Sequence, residues 1–335
     1  MAVFLWPWQH KITLSGYNAR LCAVWCHMRV IRGLYNLPIE GEPSAVTIGN
    51  FDGVHRGHQA VFQALSAAAN ERGLPVSVVM FEPQPAEYFS VAAPPARLLR
   101  CREKLEWMRQ QPIDQVVVLR FDQTLAEQSA EEFIQQVLVQ QLRVKYLLVG
   151  DDFRFGRQRQ GDYALLQAAA RQHDFELQNL DSVVHGRRRV SSTQLREFLQ
   201  AGDFASAEKL LGRPYRMSGR VMHGQKLGRD IGYPTINIPL RRRKSPLAGI
   251  YAVRVEGIAS ACLDGVASIG TRPTVNGAGC LLEVHLFDWQ GDCYGQRADV
   301  EFVQFLRAEE KFEDIPAMIA QMDIDTHRAK EALQA

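Results

Sequence analysis

The spacing of apolar residues changes once along the chain. From residue 45 to about 211, short apolar-rich runs alternate with longer stretches whose apolar positions follow a helical period. Ala45–Ile48, Val76–Phe81, Gln115–Leu119, Tyr146–Val149 and Phe175–Leu180 predict strands, each bounded by turn-forming or polar residues. Runs of this kind suit strands covered on both faces. Between them, the stretches near His58–Arg72, Arg100–Gln110, Ser129–Gln141 and Asp162–His173 predict helices. The third opens on Ser129-Ala130-Glu131-Glu132, a capping box, and places Phe133, Ile134, Val137 and Leu138 on one face. Alternation of strand and helix implies a parallel sheet with helices on both sides. Gln194–Leu199 and Phe204–Leu211 predict two further short helices.

Beyond Gly212-Arg213-Pro214 a period of two takes over, in Tyr215–Met222, Gly249–Val255, Cys262–Ile269, Leu281–Leu286 and Ala298–Phe305. Asp264-Gly265 and Asn276-Gly277 read as turns, and together these features predict a compact antiparallel barrel. The chain closes on an amphipathic helix with Ile315, Met318, Ile319 and Met322 on one face, suited to packing on the barrel. The expected architecture is thus an α/β domain with a Rossmann-like parallel sheet over residues 28–211 and an antiparallel β-barrel with a terminal helix over 212–335. Residues 1–27 read as an upstream extension, because regular patterning begins only at Met28.

A length of 335 residues is enough for two cores. With 39 basic and 37 acidic residues the formal charge is only +2, which disfavours bulk electrostatic binding of nucleic acid or membrane. The basic runs Arg187–Arg189 and Arg241–Lys244 read as solvated loops, with a phosphate-facing role as the lesser alternative. Cysteines 22, 26, 101, 262, 280 and 293 show neither Cys-x-x-Cys nor zinc-type spacing and read as reduced thiols of a cytoplasmic protein. No apolar run has the length of a membrane span.

Against this ordinary background one string stands out: Thr47-Ile48-Gly49-Asn50-Phe51-Asp52-Gly53-Val54-His55-Arg56-Gly57-His58 joins a strand to a helix start. Glycines there let backbone N–H groups approach an oxyanion, and the helix N-terminus favours negative charge. His55 and His58, three positions apart, put two imidazoles where a phosphate would sit. Two histidines at that spacing are more often surface residues, and the whole string is what raises the estimate. No Gly-x-x-x-x-Gly-Lys-Ser/Thr string occurs, which disfavours an ordinary P-loop ATPase. Ligands of such sheets bind at the carboxyl ends of the strands, where this turn falls. Two later loops should converge there: Asp152-Phe153-Arg154-Phe155, whose aromatics suit a ring carrying phosphate, and Ser191-Ser192-Thr193-Gln194-Leu195-Arg196.

The Gly49–His58 string resembles the Gly-x-Phe-Asp-Gly-x-His-x-Gly-His motif of the nucleotidyltransferase superfamily, in the form carried by prokaryotic FAD synthetases. That resemblance makes His55 and His58 catalytic and assigns ATP binding to Gly49, Asn50, Phe51, Asp52 and Gly57. By the same resemblance Ser191, Ser192 and Thr193 hold the β and γ phosphates, Arg196 offsets their charge, and Asp152, Phe153 and Phe155 face the flavin. One departure is Phe81-Glu82-Pro83-Gln84-Pro85, where the family commonly has Phe-x-Pro-His-Pro; Gln84 can hydrogen-bond but cannot become cationic.

In the second half, the glycine-punctuated basic loop from Gly219 to Arg229 is followed by Pro234-Thr235-Ile236-Asn237. Glycines in a barrel usually mark bends or bulges. Together, however, these segments resemble the riboflavin kinase family, with its Gly-rich loop and Pro-Thr-Ala-Asn, here with Ile236 in place of alanine. The resemblance implies an ATP site formed by Gly219, His223, Gly224, Lys226, Gly228, Arg229, Thr235 and Asn237. It implies Mg2+ on Thr235 and Asn237, hard oxygen ligands as that ion requires. Glu283, in Leu282-Glu283-Val284-His285-Leu286-Phe287-Asp288, becomes the general base, and Arg307 lies near the flavin.

Taken over both halves, the chain is identified as a member of the bifunctional riboflavin kinase/FAD synthetase family. The expected partners are ATP, riboflavin, FMN and FAD, with no nucleic acid and no membrane, in a monomer or weakly self-associating protein. Two rival readings are a nucleotidyltransferase for another phosphate acceptor with a regulatory barrel, and a flavin-binding protein without turnover.

Overall fold

The computed structural model describes residues 28–38, 41–90, 94–150, 152–180, 184–185, 188–224, 228, 231–274 and 277–334. Strands β1 (Arg29–Arg32), β2 (Ser44–Ile48), β3 (Val76–Glu82), β4 (Gln115–Arg120), β5 (Val144–Gly150) and β6 (Glu176–Leu180) form one sheet in the order β1-β4-β3-β2-β5-β6. Every pairing in it is parallel. Strand β2 is wholly buried, as are the first five residues of β3, which explains sequences that are apolar but for Ser44, Thr47 and Ser77. The edge strand β1 has exposed Arg ends and a short apolar centre, too weak a pattern for the sequence to show.

Helices α1 (Arg56–Arg72), α2 (Pro85–Phe89), α3 (Cys101–Met108), α4 (Gln123–Glu127), α5 (Ala130–Glu132) and α6 (Tyr163–His173) connect these strands. The Ser129 capping box is present: Ser129 Oγ accepts from Glu132 N at 3.1 Å and Glu132 Oε2 from Ser129 N at 2.8 Å. After one turn the helix widens into a π-helical segment, Phe133–Gln141, which still buries the four predicted apolar residues. Apolar side chains fill both faces of the sheet, with Phe62 and Leu65 of α1 on one side and Phe133 and Leu138 on the other. Each such fully buried side chain stabilises by roughly 1.5–3 kcal/mol relative to exposure.

A small hairpin, β7 (Val184–His185) and β8 (Arg188–Arg189), leads into α7 (Ser192–Gln200) and α8 (Phe204–Leu211). The barrel follows, from β9 (Arg216–Arg220), β10 (Thr235–Pro239), β11 (Gly249–Glu256), β12 (Leu263–Thr274), β13 (Gly277–Leu286) and β14 (Arg297–Arg307). Its order is β10-β13-β12-β11-β14-β9, all antiparallel. A bridge between Met222 and Asn237 brings the two ends together. Gly219 makes that approach possible, since a Cβ there would lie 2.4 Å from Ile238 Cγ2.

Two expectations for this half need correction. Asp264-Gly265 is not a turn: both residues lie inside β12, where Gly265 lets the neighbouring strand approach, a Cβ there falling 2.5 Å from His285 O. The terminal helix, α9 (Ile315–Gln334), docks through Asp325, Ala329 and Leu333, while Ile315 is exposed. Leu195, Leu199, Phe204, Ala207, Leu210 and Leu211 of α7 and α8 share a core with the barrel interior, so packing continues across the chain junction expected at residue 211.

Candidate active sites

In the parallel sheet the chain runs from β2 to β3 and β4 on one side and returns to β5 on the other. A crevice opens at the carboxyl ends of β2 and β5, where successive connections leave in opposite directions. A cavity of about 800 Å³ lies there, lined by Gly49, Asn50, Phe51, His55, Gly57, His58, Asp152, Phe153, Phe155, Ser191 and Ser192 among others. The fold therefore gathers most of the residues singled out in the first half.

His55 is the N-cap of α1, its Nδ1 accepting from His58 N at 3.4 Å, and its ring stacks on that of His58 with centroids 3.6 Å apart. Gly57 makes room for the stack: a Cβ there would lie 3.1 Å from the His55 ring. Burial holds the His58 pKa well below its usual value, helped by His55, Lys104 and Arg213. His58 is thus neutral near pH 7, and among the described residues its buried Nδ1 has no hydrogen-bond partner. Ser191 Oγ caps α7 by accepting from Gln194 N at 3.3 Å, and Ser192 Oγ donates to Asp52 O at 2.8 Å.

Other expected residues sit elsewhere. Asp52 is 3% exposed; its carboxylate accepts from Leu98 N and Leu99 N, each at 3.1 Å, and from the Arg196 guanidinium at 2.6 Å. Arg196 Nε also donates to Ala96 O. This pair locks α7 to the turn, which gives Asp52 and Arg196 a structural role. Thr193 is exposed and does not line the cavity. Phe155 does border the cavity, but it is 7% exposed and packs between Phe153 and Phe133 as part of the core. Gln84, where the family commonly has histidine, is 4% exposed, its Nε2 has no hydrogen-bond partner among the described residues, and it does not line the cavity.

The sequence reading missed the opposite wall. Phe81, Phe89 and Phe121 line the cavity, with Phe121 edge-on to both of the others at 5.8 and 5.6 Å. Phe89 is 66% exposed, a large apolar surface left facing solvent. The available signal was three aromatics, Phe81 and Phe121 at strand ends and Phe89 at the end of α2, indistinguishable from core without the fold.

On the barrel, register does the assembling. Asn237 pairs opposite Glu283, and Thr235 opposite His285. Directly opposed residues and positions two apart share a face; hence Thr235, Asn237, Glu283 and His285 stand together. Ile236, Ile238, Leu282 and Val284 point the other way, into the barrel core, so the polar four lie on the outside. The substitution at Ile236 therefore falls in the core, away from them. His285 Nδ1 lies 2.9 Å from Pro234 O. Gly224 closes over Asn237, where a Cβ would meet the amide at 2.5 to 2.7 Å, and Gly228 over Tyr233 O at 2.2 Å. His223 is exposed and lies against Tyr294. Lys226 and Arg229 lie outside the described residues. Gly219 serves barrel closure, and Arg307 is bidentate to Asp325, with Nε and Nη2 at 2.9 and 2.7 Å from Oδ2, tying α9 to β14.

A seam joins the two halves. Arg242 is fully buried in the Arg241–Lys244 run and donates to Glu103 of α3 at 2.7 Å and to Leu98 O at 3.1 Å. It is neither solvated nor phosphate-facing, contrary to both readings of that run. Glu103 also accepts from Ser218 N at 2.9 Å. Burial works against the Glu103 charge, but Arg242 and Arg100 outweigh it and hold its pKa below the usual value. Burial pushes the nearby Tyr215 hydroxyl up to about 12.

A doubly wound sheet with paired imidazoles at a helix start, joined to a barrel with hydroxyl, amide and carboxylate on one outer face, defines a two-site enzyme acting on nucleotide phosphates. The comparisons narrow the class. The FAD synthetase family model matches residues 38–194 and the riboflavin kinase model residues 211–333. The chain is 48% identical over 303 residues to the bifunctional riboflavin kinase/FMN adenylyltransferase of Haemophilus influenzae, covering 90% of this chain and 98% of that one. It is also 48% identical over 307 residues to the protein of that name from Escherichia coli K12, covering 91% and 97%. A crystal structure described as a macrolide-efflux protein from Streptococcus pneumoniae superposes with a TM-score of 0.71 at 28% identity, over 89% of this chain and 97% of that one. Among the described residues no helix is long and apolar enough to cross a membrane. The chain belongs to the bifunctional riboflavin kinase/FMN adenylyltransferase family.

Proposed function

We propose that residues 212–335 phosphorylate riboflavin to FMN and that residues 28–211 then adenylylate FMN to FAD, each step consuming one ATP. In the first, Glu283 accepts the proton of the riboflavin 5′-hydroxyl as that oxygen attacks the γ-phosphorus, and ADP leaves. Thr235 and Asn237 fit Mg2+: both offer neutral oxygens on one strand face, beside the Gly224 approach that brings backbone against the Asn237 amide. When bound there, the ion would offset phosphate charge. Gly224 and Gly228, which approach Asn237 and Tyr233 closely, border the triphosphate.

In the second step an FMN phosphate oxygen attacks the α-phosphorus of ATP and diphosphate leaves. His55, His58 and the α1 N-terminus stabilise the charge that builds on the transferring group, and the geometry, rather than a covalent intermediate, does the catalysis. Ser191 and Ser192 border the phosphates, with the aromatic residues Phe81, Phe89, Phe121 and Phe153 supplying faces for the ring system. The observation that carries this reading is the unpartnered His58 Nδ1 at a helix start inside the cavity. The same reading places the enzyme in the cytoplasm. Incubation with riboflavin, ATP and magnesium tests it: FMN should appear first and FAD after it by chromatography. A protein that converts neither riboflavin nor added FMN would refute it.

A further inference from the structure

The turn that carries the two histidines is held from behind. Phe51 and Val54 adopt positive φ, 47° and 44°, which side-chain-bearing residues rarely do. Such a backbone persists only where its surroundings over-determine it. Every carbonyl from Asn50 to His55 accepts a hydrogen bond from the protein: from Lys104 Nζ, Val54 N, Ser192 Oγ, Arg213, Arg213 with Gln59, and Gln59 N in turn. Two of these donors are cations from distant elements. Lys104, on α3, is 0% exposed and donates to Asn50 O. Arg213, at the junction with the barrel, donates to Gly53 O at 2.7 Å and Val54 O at 3.1 Å, with its guanidinium 4.0 Å from the Trp107 ring.

We propose that Lys104 and Arg213 are positioning residues of the adenylyl-transfer site, clamping the carbonyls of the Asn50–Val54 turn inward so that its N–H edges and both imidazoles are presented to phosphate. In a trans peptide the C=O and N–H point in opposite directions. Asn50 and Phe51 line the cavity while Lys104 does not. Fixing the Asn50 carbonyl on Lys104 therefore turns the Phe51 N–H toward the cavity side. The arrangement is preorganised, with dipoles set before substrate arrives.

The same cations add positive potential at the phosphates. The charged and titratable groups acting on His58 are His55 from the turn, Lys104 from α3 and Arg213 from the junction, all disfavouring its protonated form. Burial lowers the Lys104 pKa from its usual value, with Asp52, Glu82 and Cys101 opposing that and Arg97 adding to it. Burial first, and His55, Lys104 and Arg213 after it, keep His58 a neutral donor.

This inference rests on the adenylyl-transfer reading of the cavity, and the test separates the two. Full-length Lys104→Met, Lys104→Arg and Arg213→Gln proteins are compared with the unsubstituted chain for FAD formation from FMN across pH, and for riboflavin phosphorylation. Lys104→Met should lower kcat for FAD formation about 100-fold and leave riboflavin phosphorylation intact. Loss of the cation should also raise the acid limb of the FAD-formation profile, because His58 protonates more readily without it. Lys104→Arg should keep the limb in place and recover part of kcat. If Lys104→Met loses both activities through misfolding, Arg213→Gln decides, with the same upward move of the acid limb expected. Substituted proteins that make FAD normally, or that lose rate with an unmoved limb, overturn the inference. An unsubstituted chain that makes no FAD from FMN and ATP removes the adenylyl-transfer reading, and the inference with it.

Discussion

At the scale of single residues, two side chains divide the chemistry. His58 borders the sheet cavity and Glu283 the outer face of the barrel, and no cavity-lining residue comes from the barrel. His58→Ala should reduce FAD formation by roughly 10²–10³, as for loss of one preorganised donor, with riboflavin phosphorylation unchanged. Glu283→Ala should do the reverse, lowering FMN formation by about 10²–10⁴ while added FMN is still converted to FAD. Product chromatography of both variants checks the pair, and equal loss of the two activities in either would argue against separate sites. His58 also carries a pH signature. Its folded pKa is depressed, so the native state takes up fewer protons than the unfolded chain. Its contribution is fully present above about 6.5 and erodes as pH falls through that value toward the folded pKa. Melting temperature should consequently fall more steeply from pH 7 to 5 for the unsubstituted protein than for His58→Gln; parallel slopes would show that His58 titrates normally.

The elements show where reading along the chain succeeds and where it stops. Strands β2 to β5 and helices α1, α6 and α8 follow from local pattern, because apolar runs and helical periodicity report burial directly, while the largely polar edge strand β6 was marked only by its place in the strand–helix alternation. The His55–His58 pair was legible because the two rings sit three positions apart and stack on each other at the start of α1, although the turn before them is held from distant elements. Asp52 was misread because its partners, Leu98, Leu99 and Arg196, lie 46 or more positions away. Lys104 and Arg242 were invisible as buried cations, since nothing local distinguishes a lysine that meets a turn carbonyl from one that meets water. Helix α3 concentrates these non-local contacts: Glu103 reaches Ser218 and Arg242 of the barrel, Lys104 the histidine turn, and Glu106 pairs with Arg297 of β14. Removing one partner from a buried ion pair leaves an uncompensated charge, at a cost of about 3–5 kcal/mol. Glu103→Ala should therefore lower the melting temperature sharply by stranding Arg242, whereas Arg102→Ala, one position away on the exposed face, should change it little. Similar melting of the two would mean that the seam contributes nothing.

For the whole molecule, the question is how FMN passes from the barrel to the sheet. Thr235, Asn237 and Glu283, to which the proposal gives the kinase step, stand outside the barrel on β10 and β13. The cavity opens at the carboxyl ends of β2 and β5, bounded by the aromatic wall and the Ser191–Ser192 start of α7. The seam between them is filled by Glu103, Arg242, Tyr215 and Leu98, all buried. On the proposed reading, FMN made at one site leaves it and travels through solvent to reach the other, on the same chain or a different one. An equimolar mixture of His58→Ala and Glu283→Ala proteins should then convert riboflavin to FAD, although neither makes it alone. FMN should accumulate before FAD appears, and adding a large excess of unlabelled FMN should dilute label from riboflavin out of the FAD pool in the unsubstituted enzyme as well. FAD formed only when both intact sites share one chain, with label resisting dilution, would instead require a direct path across the seam.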